Sequence, residues 1–270
     1  MCPLPKAAQT MPAARPATPY LPLRDALIRA AYEAGAAIMA IYASDFASTH
    51  KADRSPVTAA DVAAEKLILA ALKAHAPEIA VVAEEQAAAE GLPSGIGNRF
   101  FLVDPLDGTK EFIARNGEFT VNIALIEDGV PVLGVVYLPV LDEMYAGSGD
   151  VAIRRRGRAE ELIRARKLPP EGATMTISRS HAARELVKAE LLGEHVAGTV
   201  VAGSSLKFCR IAEGVADLYP RFGPTMEWDT AAGHAVLLAA GGTVTTLDGV
   251  PLSYGKPGFR NPHFIARGIR

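Results

Sequence analysis

Residues 100–109 have the sequence FFLVDPLDGT. The apolar run from Phe100 to Val103 predicts a buried strand, and this strand leads directly into Asp104. Carboxylates that follow strands lie at the rim of a sheet, where α/β proteins bind their ligands. Pro105 stiffens the next turn, so carboxylates and a backbone carbonyl can face one point.

This turn predicts a cation site beside a phosphate site. Asp104 and Asp107 offer carboxylate oxygens and Leu106 a carbonyl oxygen, and a set of oxygen ligands suits Mg²⁺. Gly108 permits a close backbone approach or a positive φ. The amides that open a helical turn from Gly108 onward can hold a phosphate oxygen, with the Thr109 hydroxyl beside them. A single Asp-x-x-Asp-Gly is more often an ordinary turn, so the rest of the chain has to support this interpretation.

Two helices are predicted before this motif. Apolar residues recur at three- and four-residue steps from Leu23 to Ile41, which is typical of one face of an amphipathic helix. A second helix is expected from Thr58 to His75, with Thr58 and Asp61 forming an acidic capping box.

A strand over 79–83 then ends in Glu84 and Glu85, a second pair of carboxylates at a strand end. The glycine-rich residues 86–98 predict a loop. Beyond the motif, Asp128-Gly129 indicates a hairpin, and a later alternation of strands and helices indicates an α/β sheet. The expected strands are 119–126, 132–138, one around Met144-Tyr145, 174–177, 199–202, 216–219, 243–246 and 263–266, and the expected helices are 182–192, 205–213 and 228–240.

The chain divides by composition into three parts. Residues 1–19 are rich in proline and alanine and are expected to form a disordered tail. Residues 20–155 are expected to form an α+β domain, and residues 156–270 an α/β domain.

Charge and composition exclude several classes of protein. The 270 residues include 28 Lys+Arg and 30 Asp+Glu, for a net charge of −2, which argues against a nucleic-acid or anionic-membrane binder. No apolar run approaches the ~20 residues of a membrane helix. Prolines interrupt the start, which argues against a secretory signal, and two cysteines are too few for a disulfide scaffold. A cytoplasmic protein is expected.

The basic run 154–167 favours a solvated hairpin and linker over a lipid or nucleic-acid patch, with weak steering of anions as a third alternative.

Two motifs taken together resemble the inositol monophosphatase superfamily over residues 23–266. They are DPLDGT at 104–109 and WDTAA at 228–232, with Glu84-Glu85 upstream. Glu111 stands where inositol monophosphatases typically have Asn. The motifs that resemble the 3′(2′),5′-bisphosphate nucleotidase branch are TKEFI (109–113), NGEFTVN (116–122), SRSH (178–181), GSSLKF (203–208) and DLYPR (217–221). The resemblance implies a layered αβαβα sandwich of the inositol monophosphatase/fructose-1,6-bisphosphatase type.

The resemblance also implies a metal centre with two or three Mg²⁺ ions. Its ligands would be the carboxylates of Glu84, Asp104, Asp107 and Asp229 and the carbonyl of Leu106. The domain of residues 20–155 would thus carry most of the metal ligands, and Asp229 in the domain of residues 156–270 would complete the site. The catalytic residues would be Glu84, Asp61 and Thr109, with Thr109 hydrogen-bonded to Asp61 and activating a metal-bound water. Glu85 would support the ligands or contribute to a weaker metal site.

Two of these residues also have a purely structural interpretation. Asp229 starts a predicted helix, where a negative charge is favourable in its own right. Asp61 belongs to the capping box, although a capping carboxylate has a second oxygen for another partner.

The substrate contacts implied by the resemblance are Gly108, Thr109, Lys110, His181, Ser204, Ser205, Lys207, Arg221 and Asp229. Lys207 and Arg221 are candidates for the second phosphate of a bisphosphate, and Ser204 is also expected to cap a helix. His181 would otherwise be an exposed loop histidine.

The expected reaction is in-line attack of a metal-activated water on the 3′-phosphate of adenosine 3′,5′-bisphosphate, giving AMP and phosphate. By resemblance, such an enzyme clears a by-product of sulfate activation, is inhibited by Li⁺, and is cytoplasmic or peripheral at the inner membrane. The expected partner is a small phosphorylated nucleotide, without nucleic-acid polymer or integral membrane segment, and a homodimer is one alternative. Two other functions stay open. One is inositol monophosphatase or fructose-1,6-bisphosphatase activity on the same fold, and the other is a non-catalytic nucleotide- or metal-binding regulator.

Overall fold

A computed structural model describes residues 20–50, 56–178 and 193–269. It begins with helix α1, Leu21–Tyr42, whose buried face runs from Ala26 to Ile38. A two-stranded antiparallel ladder of β1 (Ser48–His50) and β2 (Pro56–Thr58) leads into α2, Ala59–His75. The predicted capping box is confirmed, because Thr58 accepts from the Ala60 amide at 3.1 Å and its own amide donates to Asp61 at 2.8 Å.

The first large sheet has seven strands in the chain's own order, β3 to β9. Strands β3 and β4 pair in parallel, and every other neighbouring pair is antiparallel. Two short helices lie between its strands, α3 (Glu84–Glu90) and α4 (Thr109–Ile113). The strands are β3 (Ala80–Ala83), β4 (Arg99–Asp107), β5 (Thr120–Glu127), β6 (Val130–Leu138), β7 (Glu143–Ser148), β8 (Val151–Arg156) and β9 (Ala159–Ile163).

The second sheet has five strands in the order β11-β10-β12-β14-β13. Strand β10 pairs in parallel with β11 and β12, and β14 runs antiparallel to β12 and β13. Helices α5 (Leu206–Ala212) and α6 (Ala231–Ala239) follow β11 and β12, and a 3₁₀ turn spans Pro257–Phe259. The strands are β10 (Ala173–Ile177), β11 (Val196–Val201), β12 (Leu218–Arg221), β13 (Thr243–Thr246) and β14 (Phe264–Arg267).

Alternating side chains of β4 separate two layers of the core. Phe101 and Val103 pack on the side of α1 and α2, whereas Phe100 and Leu102 pack between the two sheets, around α5 and α6. This layering confirms the predicted α/β sandwich. The helix predicted over 182–192 and the predicted tail 1–19 lie outside the described residues.

The structure differs from the sequence-based prediction in the loop expected over 86–98. Helix α3 extends to Glu90 and ends at Gly91, whose φ is 89°. The reason is the Glu65 carboxylate of α2, which accepts the amides of Glu85 and Gln86 at 2.8 Å each. Two amides of the first helical turn are thereby satisfied by a residue distant in sequence.

The first sheet also reaches further along the chain than residue 155. Strand β9 extends it to Ile163, so a division by sheets falls between Ile163 and Ala173. The division into two domains stays a prediction.

The basic run does form the predicted hairpin, where Arg154 pairs with Glu161 and Arg155 with Glu160 across β8 and β9. In the part of the chain that the structure describes, no helix combines the length and hydrophobicity needed to cross a membrane.

Candidate metal centre and active site

Parallel pairing brings the first two carboxylates together. Ala83 of β3 lies opposite Val103 of β4, so the residues that follow them, Glu84 and Asp104, lie side by side. Asp229, two residues before the start of α6, joins them from the other layer. One carboxylate oxygen from each of the three residues lies within 4.8 Å of the others. Converging carboxylate oxygens of this kind are a donor set for a hard divalent cation.

Asp229 is held in place by the loop that precedes α6. Its Oδ2 accepts the Met226 amide at 2.8 Å, and its backbone carbonyl accepts the Ser205 hydroxyl at 2.8 Å. The neighbouring Glu227 is fully buried and accepts the amides of Gly255 and Lys256 at 2.7 and 2.9 Å. Asp229 is therefore fixed by both its side chain and its backbone.

The electrostatics of this cluster favour a cation. Burial raises the pKa of the Asp107 carboxyl to about 6, with Lys207 opposing the shift and Glu84 adding to it. Burial also raises the pKa of Asp229 well above its usual range, and the charges of Asp107 and Glu84 raise it further. Mutual repulsion of buried carboxylates is the condition that a bound divalent cation relieves. The residues present thus fit a metal of the Mg²⁺ type.

Thr109 and Asp61 form the hydrogen bond that the family resemblance implies. Thr109 Oγ1 donates to Asp61 Oδ1 at 3.1 Å, and it also lies 3.4 Å from the Leu106 carbonyl. The other carboxylate oxygen, Asp61 Oδ2, accepts the Thr58 amide and hydroxyl at 2.8 and 2.7 Å. The capping role and the contact to Thr109 therefore coexist on one buried carboxylate.

Gly108 occupies the tight turn between the strand and α4. Its φ of 98° is left-handed, as its position in the motif led us to expect. A Cβ atom added there would lie 2.5 Å from Ser204 Oγ and 3.2 Å from the Glu118 carbonyl. Glycine is thus required by both backbone conformation and space.

The hydroxyl groups of Ser204 and Ser205 bond to distant carbonyls rather than to the start of α5. Helix α5 begins after Ser205 without a side-chain cap, so the prediction that Ser204 caps it is wrong. The Ser204 hydroxyl instead donates to the carbonyls of Asp107 and Glu118, at 2.9 and 3.0 Å, while Ser205 donates to Asp229. These bonds span many residues along the chain, and each serine ties the start of α5 to a carboxylate-bearing loop.

Two adjoining cavities open on the carboxylates. The larger, of about 980 Å³, is lined by Glu84, Asp104 and Thr109 on one side and by Phe222, Arg260 and His263 on the other. The smaller, of about 270 Å³, is lined by Glu118, Ser204, Lys207 and Arg221. The lining residues common to both cavities are Asp107, Gly108, Lys110, Glu111, Thr225 and Asp229.

The two cations predicted to meet the second phosphate, Lys207 and Arg221, line this smaller cavity. Lys207 is buried, donates to the Ser204 carbonyl at 3.1 Å and lies 5.2 Å from the centre of the Tyr219 ring. Arg221 donates to the Pro224 carbonyl at 3.2 Å. His181 lies outside the described residues. The sequence assigned no role to Glu65, Glu118, Arg260 or His263, because their places depend on contacts between distant elements.

Comparison with known proteins agrees with this geometry. The model of the inositol monophosphatase family matches residues 20–266. This chain belongs to the inositol monophosphatase family. In that family the catalytic site depends on metal, and the carboxylate cluster lies within the matched region.

Two similar proteins are named as 3′(2′),5′-bisphosphate nucleotidases. The 3′(2′),5′-bisphosphate nucleotidase CysQ of Shigella flexneri is 50% identical over 249 residues, covering 89% of this chain and 97% of that protein. The protein of the same name from Escherichia coli K12 is 48% identical over 249 residues, with the same coverage of 89% and 97%. The resemblance to the nucleotidase branch is thereby confirmed.

Solved structures have the same fold. CysQ from Bacteroides thetaiotaomicron, described as a bacterial member of the inositol monophosphatase family, matches with a TM-score of 0.77 and 39% identity, covering 93% of this chain and 98% of that chain. An inositol monophosphatase from Anabaena sp. PCC 7120 matches with a TM-score of 0.73 and 27% identity, covering 93% of this chain and 92% of that chain.

Proposed function

We propose that this protein is a Mg²⁺-dependent phosphatase that removes the 3′-phosphate of adenosine 3′,5′-bisphosphate, giving AMP and phosphate. The observation that carries the proposal is the convergence of Glu84, Asp104 and Asp229 at one edge of the fold, in a chain about half identical to named 3′(2′),5′-bisphosphate nucleotidases. The converging carboxylates account for the metal, and the relatives indicate the substrate.

The metal ligands in this proposal are the carboxylates of Glu84, Asp104, Asp107 and Asp229 and the carbonyl of Leu106, which together would hold two or three Mg²⁺ ions. Bound Mg²⁺ neutralises charge on the phosphoryl group and lowers the pKa of a water molecule. The protein positions the phosphate ester over these oxygens and keeps its reacting atoms aligned.

Thr109 and Asp61 are proposed to handle the proton. Thr109 Oγ1 gives its own hydrogen to Asp61 Oδ1, so its lone pairs remain to accept a hydrogen bond from the attacking water. Asp61 is 1% exposed and is held by Thr58, so Thr109 has a fixed direction. Glu84, at the same rim, is the third residue to which we assign a catalytic role.

The remainder of the substrate is proposed to lie along the smaller cavity. Lys207 and Arg221 would meet the second phosphate there, and Arg221 can do so with a forked pair of donors. The other proposed substrate contacts, which the resemblance implies, are Gly108, Thr109, Lys110, His181, Ser204, Ser205 and Asp229. Clearance of a by-product of sulfate activation, inhibition by Li⁺ and a cytoplasmic or peripheral membrane location belong to the same proposal.

The test is phosphate release from adenosine 3′,5′-bisphosphate, inositol 1-phosphate and fructose 1,6-bisphosphate, measured in parallel with Mg²⁺ and with EDTA. We expect Mg²⁺-dependent release from the bisphosphonucleotide above the other two. Preference for the sugar or inositol phosphate would keep the metal site and overturn the substrate assignment.

A non-catalytic regulator is the alternative from a different class. Thr109→Ala separates it from the enzyme, because the variant should lose phosphate release while it still binds the nucleotide. Thr199→Ala, at an exposed threonine of β11, is the matched control and should retain full activity. Phosphate release that is unchanged in Thr109→Ala would contradict the assigned mechanism.

A further inference from the structure

Strand β5 carries two polar side chains that the site described so far does not use. Thr120 and Asn122 are 0% and 1% exposed. Among the described residues, Thr120 Oγ1 and both polar atoms of the Asn122 carboxamide have no hydrogen-bond partner. An unpaired buried donor or acceptor costs about 1–3 kcal/mol, so a position that keeps such a group needs an explanation.

Their register places both side chains opposite proposed metal ligands. Asn122 is the cross-strand partner of Asp104, and Thr120 is the partner of Asp107, with a register shift in between. Directly opposed residues of an antiparallel pair have Cβ atoms about 4.5–5.5 Å apart and point to the same face. Asn122 is therefore the immediate neighbour of Asp104 within the sheet.

The face of the sheet is fixed by the rest of β5. Ala124 has the same strand parity as Asn122 and packs in the core between the two sheets, while Ile123 packs against the first helical layer. Helix α6, which begins two residues after Asp229, packs on β5 across this core. The carboxamide thus lies behind the acidic cluster, between Asp104 and the layer that supplies Asp229.

We propose that Asn122 is a positioning residue for Asp104, an inference that rests on the metal site of the proposed function. Its carboxamide donates a hydrogen bond to the Asp104 carboxylate, directly or through one buried water, when a divalent cation binds. The Leu106 amide already donates to Asp104 Oδ1 at 3.0 Å, and a second donor fixes the plane of the carboxylate. Thr120 stands in the corresponding place for Asp107.

The physical reason lies in how carboxylate ligands are supported. A carboxylate that binds a metal is commonly held by an outer hydrogen bond, and loss of that bond typically lowers metal affinity about 10- to 100-fold. A hydrocarbon side chain of the same size keeps the packing and removes the donor. A group that serves only the fold would show its effect in stability instead.

The experiment measures Mn²⁺ binding to the full chain by the electron paramagnetic resonance signal of free Mn²⁺, after treatment with EDTA and its removal. In Asn122→Leu we expect the Mn²⁺ dissociation constant to rise about 10-fold or more. We expect the denaturant midpoint without metal to be unchanged or higher, because unsatisfied polar atoms are gone. Asn122→Ser, whose hydroxyl is too short to replace the amide, should show the same direction of change and serves if the leucine variant does not fold.

Ser148→Ala is the matched control. Ser148 is 3% exposed, its hydroxyl has no partner among the described residues, and it lies in the same sheet on β7, away from the carboxylates. This variant should bind Mn²⁺ as the parent does. Unchanged Mn²⁺ binding in both Asn122 variants would overturn the inference, as would a lowered unfolding midpoint with unaltered affinity.

The result separates this inference from the proposed function. A parent that binds Mn²⁺ tightly but hydrolyses none of the three phosphate esters would contradict the proposed function and leave the role of Asn122 standing. If the parent hydrolyses the nucleotide and Asn122→Leu binds Mn²⁺ as tightly as the parent, the proposed function would stand and the role of Asn122 would be contradicted.

Discussion

Thr109 Oγ1 lies 3.1 Å from Asp61 Oδ1, although the two residues are 48 positions apart in sequence. Asp61 lies in the first turn of α2, and Thr109 is the first residue of α4, so the bond joins the starts of two helices. Because Asp61 also holds Thr58, one carboxylate serves both the fold and the proposed chemistry. The two functions can be separated by choosing which partner to remove.

Thr58→Ala removes the hydroxyl of the cap and leaves the Thr109 contact in place. We expect a loss of about 1 kcal/mol in the free energy of unfolding, as for other N-cap residues, with kcat close to that of the parent. Asp61→Asn weakens both contacts and should lower kcat about 100-fold or more as well as stability. Denaturant unfolding measures the change in stability, and phosphate release measures the change in kcat. Equal kcat in the two variants would contradict the assignment of the catalytic role to Asp61 and of a structural role to Thr58.

Asp229→Asn should stabilise the protein without metal and abolish its response to metal. Burial and the charges of Asp107 and Glu84 hold the pKa of Asp229 well above its usual range, so its ionised form is unfavourable in the fold. In EDTA the variant should melt at a higher temperature than the parent, and added Mg²⁺ should raise the melting temperature of the parent alone.

Asp217→Asn provides the contrast to that result. The Asp217 carboxylate is nearly buried but accepts two bonds from Arg166, at 2.8 and 2.7 Å, and one from the Thr174 amide. Its loss should lower the melting temperature and leave the Mg²⁺ response intact. If both aspartate variants shift the melting temperature in the same direction, the electrostatic account of Asp229 is wrong.

Gly108→Ala should lower both stability and activity. The new methyl group would sit 2.5 Å from Ser204 Oγ in a backbone with φ of 98°, and strain of this kind costs about 1–3 kcal/mol. Gly249→Ala is the control for the effect of the backbone conformation alone. Gly249 has a φ of 86°, and no atom lies within 4 Å of an added Cβ. Gly108→Ala should lose more stability than Gly249→Ala, and only the former should lose activity.

His234 should make the protein less stable in mild acid. Burial lowers the pKa of His234 to about 3, and its Nδ1 is 2.9 Å from the Tyr254 hydroxyl. The unfolded chain binds a proton at this residue near pH 6.5, whereas the folded chain does not until about pH 3. The contribution to stability is therefore complete above about pH 6.5 and falls by about 1.4 kcal/mol per pH unit below it.

His234→Asn tests this linkage. Between pH 7 and pH 5 the parent should lose about 2 kcal/mol more free energy of unfolding than the variant, because only the parent gains a proton at this position on unfolding. Denaturant unfolding of both proteins at the two pH values gives the difference directly. Equal losses would show that His234 is not buried in its neutral form.

Local sequence was sufficient to predict part of the site. The apolar run before Asp104, the strand before Glu84 and the capping box at Thr58 are short-range patterns, and the structure has each of them. The family resemblance added Asp229, whose place depends on the packing of α6 against the first sheet.

The rest depends on contacts that no local pattern contains. Glu65 lies within the predicted second helix, but its carboxylate accepts two amides at the start of α3, and the first residues of the predicted loop are therefore helical. Ser204 has the composition of a cap, but its hydroxyl meets a carbonyl 97 positions away. Asn122 lies in one of the motifs that carry the resemblance, but its role follows only from its register with Asp104.

The alternation along β4 has a consequence for how this protein can change over evolution. Phe101 and Val103 face one layer while Phe100, Leu102 and Asp104 share the other face, so the direction of the carboxylate is set by counting along the strand. A one-residue insertion between Phe100 and Asp104 would turn Asp104 toward the helices of the first layer without altering any site residue. The length of this strand is therefore as strictly constrained as the identity of its last residues, and deletions or duplications there should be absent from active members of the lineage.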